Sequence, residues 1–308
     1  MDNKINVALC TDDNYANHCA VCIVSILENN KDADCSIYVL TAGLSSENMA
    51  KFQYLETAYR QKVEVKVLDM AVFDQLQVTN HWGRTMYFRF MIPDVINASK
   101  VLYLDCDIMV RHSLKPLFDT DLTDKACGVI EDQCGDDIRL HNPIQMFSRY
   151  FNSGVLLMNL DYWREHNSKK ILIEWIEKFP GRLLCPDQDA LNKVFENKVV
   201  FLDYTYNFQQ GFYGNLTWIR ADKWDAVYEA RKNPVIVHFT AGEKPWHTDC
   251  KHPLLSEYDN YRGLHAILNT PKTNGHRWYF YVVEGIVILF RKVYHWYRIK
   301  NGMMVNPI

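Results

Sequence analysis

The sequence lacks an apolar run long enough to cross a bilayer as a helix, which takes about 20 residues. Its most apolar stretch, residues 278–290, is shorter than that and is interrupted by Glu284. The amino terminus starts with Met1-Asp-Asn-Lys and leads directly into a strand-like apolar segment, so it lacks the basic-then-apolar order of a signal peptide. We therefore expect a cytoplasmic protein without a membrane-spanning helix.

The sequence also lacks a cysteine framework, although it contains nine cysteines. Cys19 and Cys22 form a C-x-x-C pair, but no second pair or nearby histidine completes a zinc site. An odd number of scattered cysteines fits a reducing compartment, where a free thiol behaves as a small buried apolar group. We expect all of them to be thiols.

An excess of charge of one sign is absent as well. The formal net charge is −3, and 23% of the residues are charged. A general nucleic-acid-binding protein is normally basic, so we expect no nucleic-acid partner. The 308 residues, of which 48% are hydrophobic, are sufficient for a large buried core.

Apolar runs alternate with helical patterns over the first third of the chain, which predicts βαβ units and parallel strands. We predict an α/β fold with a mixed, mainly parallel central sheet flanked by helices. The predicted strands are 5–10, 36–41, 63–68, a strand starting at 100, 126–131, 155–158, 199–202 and 235–239, and the predicted helices are 15–29, 45–59, 85–91, 164–178 and 187–196.

The segment 100–109 reads K-V-L-Y-L-D-C-D-I-M and places Asp105 and Asp107 after a buried-strand pattern. Open α/β sheets bind their ligands at the carboxyl ends of their strands. Two carboxylates at that edge suit a hard divalent cation, manganese or magnesium, which can also bind phosphate. The alternative is a pair that caps a helix or contacts solvent, and the motif alone does not decide between the two.

Polar motifs follow other predicted strands. Residues 11–15, T-D-D-N-Y, come after the first strand, where short polar side chains and an aromatic ring can bind a nucleoside. The same residues can form an Asx turn that caps the next helix, and the two uses can coexist. Arg89 precedes the aspartate strand, where it can contact a phosphate or pair with a carboxylate.

Three more motifs lie in the second half of the chain. His238 closes a strand and Lys244 follows in a turn, so the imidazole could bind manganese and the lysine ammonium could bind a phosphate. The alternative is a structural role, which is more frequent for a single histidine at such a place. The glycine in residues 152–154, N-S-G, permits close approach of a ligand to the backbone. Residues 186–189, P-D-Q-D, place carboxylates at the positive end of a helix or simply start that helix.

Taken in order, these motifs resemble glycosyltransferase family 8, which includes bacterial lipopolysaccharide galactosyl- and glucosyltransferases and glycogenin. The resemblance covers roughly residues 5–246 and rests on Asp12–Tyr15, Arg89, Leu104–Asp107, Phe151–Gly154, Asp187–Asp189 and His238–Trp246. The chain departs from the family at Ala241, where glycine is frequent, and at Ser153, where alanine is familiar.

This resemblance implies a GT-A fold over residues 1–271 and a retaining transferase. The enzyme would move galactose or glucose from UDP-galactose or UDP-glucose to a glycan or lipid-linked acceptor, in the synthesis of lipopolysaccharide or another cell-surface glycan. Two alternatives remain at this point: a haloacid-dehalogenase-type phosphohydrolase, which also uses a D-x-D after a strand but favours threonine or valine at the position of Met109, and a non-catalytic nucleotide-sugar-binding protein.

The resemblance also implies roles for individual residues. Manganese, or magnesium in its place, would be held by Asp105, Asp107 and His238, and Gln188 and Asp187 would be catalytic. Same-face attack by the acceptor is expected, with the Gln188 amide stabilising an oxocarbenium-like species. The expected substrate-binding residues are Cys10, Asp12, Asn14, Tyr15, Arg89, Asp105, Cys106, Asp132, Asn152, Ser153, Asp187, Gln188, Ala241, Lys244 and, on the acceptor side, His81.

Residues 272–308 are predicted to form a separate carboxyl-terminal segment. Basic residues there alternate with Tyr294, Trp296 and Tyr297 around the apolar stretch. A basic and aromatic segment of helical length commonly lies at the surface of an anionic membrane. This predicts peripheral attachment to the inner face of the cytoplasmic membrane; the alternative is a helix that packs on the domain or on another copy of the chain.

Overall fold

The computed structural model describes residues 4–73, 76, 83–136, 138, 147–214, 216, 219–240 and 242–275. The strands of this part of the chain are β1 Lys4–Cys10, β2 Asp34–Thr41, β3 Lys62–Val67, β4 Lys100–Leu104, β5 Ile108–Val110, β6 Cys127–Glu131, β7 Phe151–Asn159, β8 Val199–Phe201, β9 Phe208–Gln209 and β10 Ile236–His238.

The α-helices of the same residues are α1 Ala16–Glu28, α2 Ser46–Tyr59, α3 Ile92–Val95, α4 Lys115–Phe118, α5 Leu160–Glu165, α6 Ser168–Glu177, α7 Pro186–Val194, α8 Trp224–Lys232 and α9 Leu255–Gly263. Short 3₁₀ helices are Ala71–Phe73, Arg84–Met91, Tyr204–Asn207, Gln210–Tyr213, Ala221–Lys223 and Ala266–Leu268.

The main sheet has seven strands in the order β3-β2-β1-β4-β7-β6-β8. Strands β3, β2, β1 and β4 are parallel to one another, and β7 is antiparallel to both of its neighbours. The predicted mixed, mainly parallel sheet is therefore confirmed. Because β7 runs against β4, its amino-terminal end lies at the carboxyl end of β4, and Val155 pairs with Leu104.

A second sheet has the order β5-β10-β9. The strand predicted from residue 100 ends at Leu104, before the two aspartates, as expected. The chain then breaks at 105–107 and enters β5 in the other sheet, a strand that the sequence analysis did not predict. In this sheet β5 is antiparallel to β10, and His238 pairs with Ile108, the residue after Asp107. The break places both aspartates between the two sheets.

Two predictions need correction. Residues 152–154 lie inside β7 rather than before it, because the antiparallel pairing with β6 and β4 extends to that end of the strand. The predicted helix 85–91 is a 3₁₀ helix, Arg84–Met91. It ends two residues before Pro93, which lies in the first turn of α3, where a proline lacks only an N–H that would be unpaired anyway.

The hydrophobic core lies on both faces of the main sheet. On one face α1 and α2 pack through side chains such as Ile23 and Phe52, and on the other α5, α6 and α7 pack through side chains such as Trp163 and Leu191. This confirms a sheet flanked by helices. All nine cysteines are free thiols, as expected. Among the described helices, none has both the length and the apolar character that a membrane span requires.

Candidate active site

The carboxylates of Asp105 and Asp107 and the imidazole of His238 form one cluster, in which a ligand atom of each residue lies within 4.8 Å of the others. His238 Nε2 is 3.1 Å from Asp107 Oδ1 and 3.9 Å from Asp105 Oδ2. Two carboxylate oxygens and one imidazole nitrogen are a ligand set that suits a divalent cation, manganese in particular. The residues present therefore fit the predicted metal.

Asp105 is oriented by its neighbours. Its Oδ1 accepts hydrogen bonds from the Tyr103 hydroxyl at 2.5 Å and from Arg89 Nη2 at 3.1 Å. Its backbone N–H donates to the carbonyl of Gly154 at 2.9 Å. The two contacts at Oδ1 hold the carboxylate in one rotamer with Oδ2 toward His238, which is the arrangement that a metal ligand needs.

Asp107 lies against two cationic or potentially cationic groups. Its Oδ2 accepts a hydrogen bond from Lys244 Nζ at 2.6 Å, and the same ammonium donates to the carbonyl of Phe239 at 2.6 Å. Burial alone raises the pKa of the Asp107 carboxyl, but Lys244 and His238 lower it by more, so the net pKa is well below its usual range. Asp107 is therefore an anion at neutral pH.

Arg89 is 5% exposed and joins this cluster to the helix α7. Its guanidinium donates to the Ser153 carbonyl at 2.6 Å and lies 3.4 Å from Asp187 Oδ2. Burial raises the pKa of Asp187 above its usual value, and Arg89 opposes this shift. Asp187 is at the start of α7, where the helix N-terminus also favours a negative charge.

Asp132, Asn152 and Gln188 form a second set of polar contacts. Asp132 Oδ2 accepts from Asn152 Nδ2 at 3.0 Å and from Gln188 Nε2 at 3.3 Å. Gln188 Oε1 accepts from the backbone N–H of Ser153 at 2.8 Å. Burial raises the pKa of Asp132, partly offset by these hydrogen bonds. The amide of Gln188 is thus held at both ends.

The candidate nucleoside residues follow the neighbouring strand β1. Asp12 Oδ1 accepts from the backbone N–H of Tyr15, three residues on, at 2.9 Å, which orders this turn. The turn does not cap α1 as an Asx turn would, because the N-cap residue of α1 is Tyr15 and no side chain caps it. Tyr15 is 42% exposed and packs edge-on against Trp246, and Asn14 is exposed. Cys106 donates from its thiol to the carbonyl of Cys10 at 3.2 Å, which ties this end of β1 to the aspartates.

The structure also places residues in the site that the sequence analysis did not select. Tyr103 contacts Asp105 and Asn207 contacts His238. Neither Tyr103 nor Asn207 lies in a motif that signals a function. For Tyr103 a weak signal exists, because it lies two residues before Asp105 on a strand and so shares its face. Two selected positions, His81 and Ala241, lie outside the described residues.

Comparison with known proteins identifies relatives of this chain. The family model of glycosyl transferase family 8 matches residues 6–250. General stress protein A of Bacillus subtilis is 30% identical over 271 residues, covering 84% of this chain and 93% of the relative. The lipopolysaccharide 1,3-galactosyltransferase of Salmonella typhimurium is 29% identical over 286 residues, covering 88% and 83%.

Solved structures show the same relationship. The galactosyltransferase LgtC in complex with donor and acceptor sugar analogues superimposes with a TM-score of 0.73 at 28% identity, over 89% of this chain and 99% of that one. An active-site glutamine-to-glutamate mutant of LgtC gives 0.75 at 29% identity, over 84% and 95%. The likeness spans almost the whole of these solved chains and confirms the predicted GT-A type of fold.

Proposed function

The chain belongs to glycosyl transferase family 8, and from this premise we propose that it moves galactose or glucose from a UDP-sugar to a hydroxyl of a glycan or lipid-linked acceptor. Family membership argues against the phosphohydrolase alternative. The relatives that are named for lipopolysaccharide support a cell-surface glycan as the product. The observation that carries the proposal is the Asp105, Asp107 and His238 cluster beside the polar end of β1.

Asp105, Asp107 and His238 would hold a divalent cation, and manganese suits this set better than magnesium because one ligand is an imidazole nitrogen. When bound, the cation would supply positive charge against the diphosphate that leaves the sugar. Lys244 donates to Asp107 at 2.6 Å, and its ammonium would stabilise the negative charge that develops on the diphosphate.

On the nucleoside side, Asp12, Asn14 and Tyr15 would bind the uridine. Tyr15 offers an exposed ring on which a base can stack, and such stacking contributes about 1–3 kcal/mol per base. Cys10 and Cys106, which contact each other, lie between this turn and the metal cluster. Ala241 lies between His238 and Lys244 in the sequence, in the turn assigned to the diphosphate.

The donor sugar would lie among Arg89, Asp132, Asn152, Ser153 and Asp187. These residues join strand β7, helix α7 and the end of β6 around one group of buried hydrogen-bonding atoms. Their carboxylates accept hydrogen bonds from sugar hydroxyls, and the Arg89 guanidinium donates to them. His81 would contact the acceptor.

We further propose that transfer retains the anomeric configuration. A retaining displacement needs either a nucleophile on the face opposite the leaving group or attack from the same face. The amide of Gln188 is a poor nucleophile, and it is fixed by hydrogen bonds from Ser153 and to Asp132. Same-face attack by the acceptor is therefore the better mechanism, with the leaving phosphate oxygen taking the proton and the Gln188 carbonyl dipole stabilising positive charge on the sugar.

Incubation of the purified protein with Mn²⁺ and a panel of UDP-sugars, without acceptor, should release UDP slowly from one donor. Chelation with EDTA should stop the release, and Mn²⁺ should restore it. Once an acceptor is found, the product formed from the α-linked donor should be α-linked by NMR; a β-linked product would contradict retention. Tight UDP-sugar binding without release, also in the presence of candidate acceptors, would favour the non-catalytic alternative.

We also propose that residues 1–271 form the catalytic domain and that residues 272–308 attach it to an anionic membrane surface. Thr273 pairs with His247 and Lys272 bonds Asp259, so a truncation that spares these contacts should end at Gly275. Full-length protein should co-sediment with phosphatidylglycerol vesicles, whereas the truncated protein should not. A full-length variant with Arg291, Lys292, Arg298 and Lys300 changed to glutamine is the matched control and should also lose binding; equal sedimentation of all three would reject the attachment.

A further inference from the structure

Asn207 is fully buried between the metal cluster and the donor-sugar residues. It ends the 3₁₀ helix Tyr204–Asn207, just before β9. Its Oδ1 is 3.0 Å from His238 Nδ1, and its Nδ2 is 2.9 Å from Asn152 Oδ1. No motif of the sequence pointed to this residue, and its contacts connect two parts of the site that are distant in sequence.

The orientation of the Asn152 amide is fixed by two neighbours. The backbone N–H of Gly154 donates to Asn152 at 2.9 Å, so the atom that it meets must be the oxygen. The other end of the same amide lies 3.0 Å from the carboxylate of Asp132, which accepts from the nitrogen. Both contacts agree, and reversing the amide would break both of them.

This orientation in turn fixes Asn207 and His238. Because Asn152 presents an oxygen, Asn207 must present its nitrogen to Asn152 and its own oxygen to His238 Nδ1. Nδ1 then carries a proton and donates it, and Nε2 keeps its lone pair. This Nε2 is 3.1 Å from Asp107 Oδ1. Two electron-pair donors that face one point are the arrangement of two ligands of one cation.

We propose that Asn207 is a positioning residue that holds His238 in the Nδ1-protonated form and connects the metal cluster to the sugar pocket. The inference rests on the metal-binding role proposed above for Asp105, Asp107 and His238. The connection is a chain of hydrogen bonds in one direction, from His238 to Asn207, from Asn207 to Asn152 and from Asn152 to Asp132, which also accepts from Gln188. Through this chain the position of His238 would be coupled to the residues around the sugar.

The two ends of the Asn207 side chain can be tested separately. Asn207→Leu has a similar shape but removes both hydrogen bonds, whereas Asn207→Asp keeps an acceptor for His238 and removes the donor to Asn152. Outer partners of metal-bound histidines typically change metal affinity about 10–100-fold. We expect N207L to weaken Mn²⁺ binding by about 10-fold or more, and N207D to retain it within about threefold because a carboxylate is also a good partner for an imidazole N–H.

The readout is the dissociation constant of Mn²⁺, obtained from the electron paramagnetic resonance signal of the free ion in the absence of nucleotide. Asn159→Leu is the matched control: Asn159 also makes two side-chain hydrogen bonds, to Leu122 and from Tyr162, but lies at the end of β7 opposite to Asn152. It should lower thermal stability and leave Mn²⁺ binding unchanged. Mn²⁺ binding by N207L at the parent affinity would overturn the proposal.

The second readout isolates the connection to the sugar pocket. With saturating Mn²⁺, calorimetry should show that N207D binds UDP as the parent does but binds the UDP-sugar about 10-fold more weakly, a loss in the range of one broken buried hydrogen bond. Loss of Mn²⁺ affinity in N207D, or an unchanged preference for UDP-sugar over UDP, would contradict the proposal, and N207D keeps this test available if N207L does not fold. Because Mn²⁺ binding is measured without nucleotide, a wrong assignment of the donor would leave the first result intact.

Discussion

Replacing Asp107 with asparagine should lower metal-dependent sugar transfer by about 10²–10³-fold, the size of effect seen when one group that stabilises developing charge is removed. The substitution keeps the shape of the side chain and removes its negative charge. Asp107 is both a candidate cation ligand and the partner of Lys244 at 2.6 Å. The variant therefore loses a ligand and leaves the lysine ammonium without its anion, so excess Mn²⁺ should restore only part of the activity.

The measurement is kcat/KM for the donor over a titration of Mn²⁺, with the thermal midpoint recorded in parallel. Asp119→Asn is the matched control, because Asp119 is also paired with a lysine, Lys115, but is 54% exposed on the surface. Exposed pairs of this kind contribute about 0–1 kcal/mol, so this control should retain activity and stability. If D107N had the activity of the parent, the proposed catalytic role of the cluster of Asp105, Asp107 and His238 would be wrong.

Replacing Gly154 with alanine should reduce activity by about 10²-fold, because a displacement of about 1 Å at reacting groups has effects of this size. A Cβ atom at Gly154 would lie 2.3 Å from His238 Cε1 and 2.7 Å from Asp105 Oδ2. Real atoms do not approach so closely, so His238 and Asp105 must move apart. The backbone of Gly154 is not in the left-handed region, and the requirement for glycine is therefore the close approach alone.

Metal affinity and kcat/KM measured on the same G154A sample should both fall, and overpacking should lower stability by about 1–3 kcal/mol. Gly263→Ala is the matched control, because a Cβ at the end of α9 meets nothing within 4 Å. It should behave as the parent does. If G154A bound Mn²⁺ normally and lost only stability, the close approach of Gly154 to His238 and Asp105 would not be needed for metal binding.

The sequence predicted the parts of the fold that depend on local pattern. Apolar runs of strand length marked β1, β2 and β3, and the pattern over residues 45–59 marked α2. Local chemistry agrees with this start, because the Ser45 hydroxyl accepts from the backbone N–H of Asn48 at 3.3 Å. The family resemblance rests on the same kind of information, because each motif is a few neighbouring residues. The set of side chains that the structure brings together around Asp105 was named almost completely in this way.

The parts that could not be predicted depend on contacts between distant residues. The apolar run from Lys100 to Val110 has one pattern, but hydrogen bonding with β7 and with β10 divides it between two sheets. The role proposed for Asn207 arises from partners 31 and 55 residues away along the chain, and an isolated asparagine before Phe208 and Gln209 gives no signal of this. In the 3₁₀ helix Arg84–Met91 every side chain from Met86 to Met91 is buried, so the spacing of its apolar residues does not distinguish 3₁₀ from α-helical geometry.

Because Asp105 follows a strand of the main sheet and Asp107 precedes a strand of the small one, the distance between the two carboxylates depends on the contacts that hold the two sheets together. Helix α1 provides such contacts: Ser25 Oγ accepts from the backbone N–H of Val110 at 3.0 Å, and Asn29 donates to the Val110 carbonyl at 3.0 Å. The same helix packs its apolar face on the main sheet. The geometry of the candidate active site therefore also depends on Ser25 and Asn29, two side chains of α1 that lie outside the cluster of Asp105, Asp107 and His238.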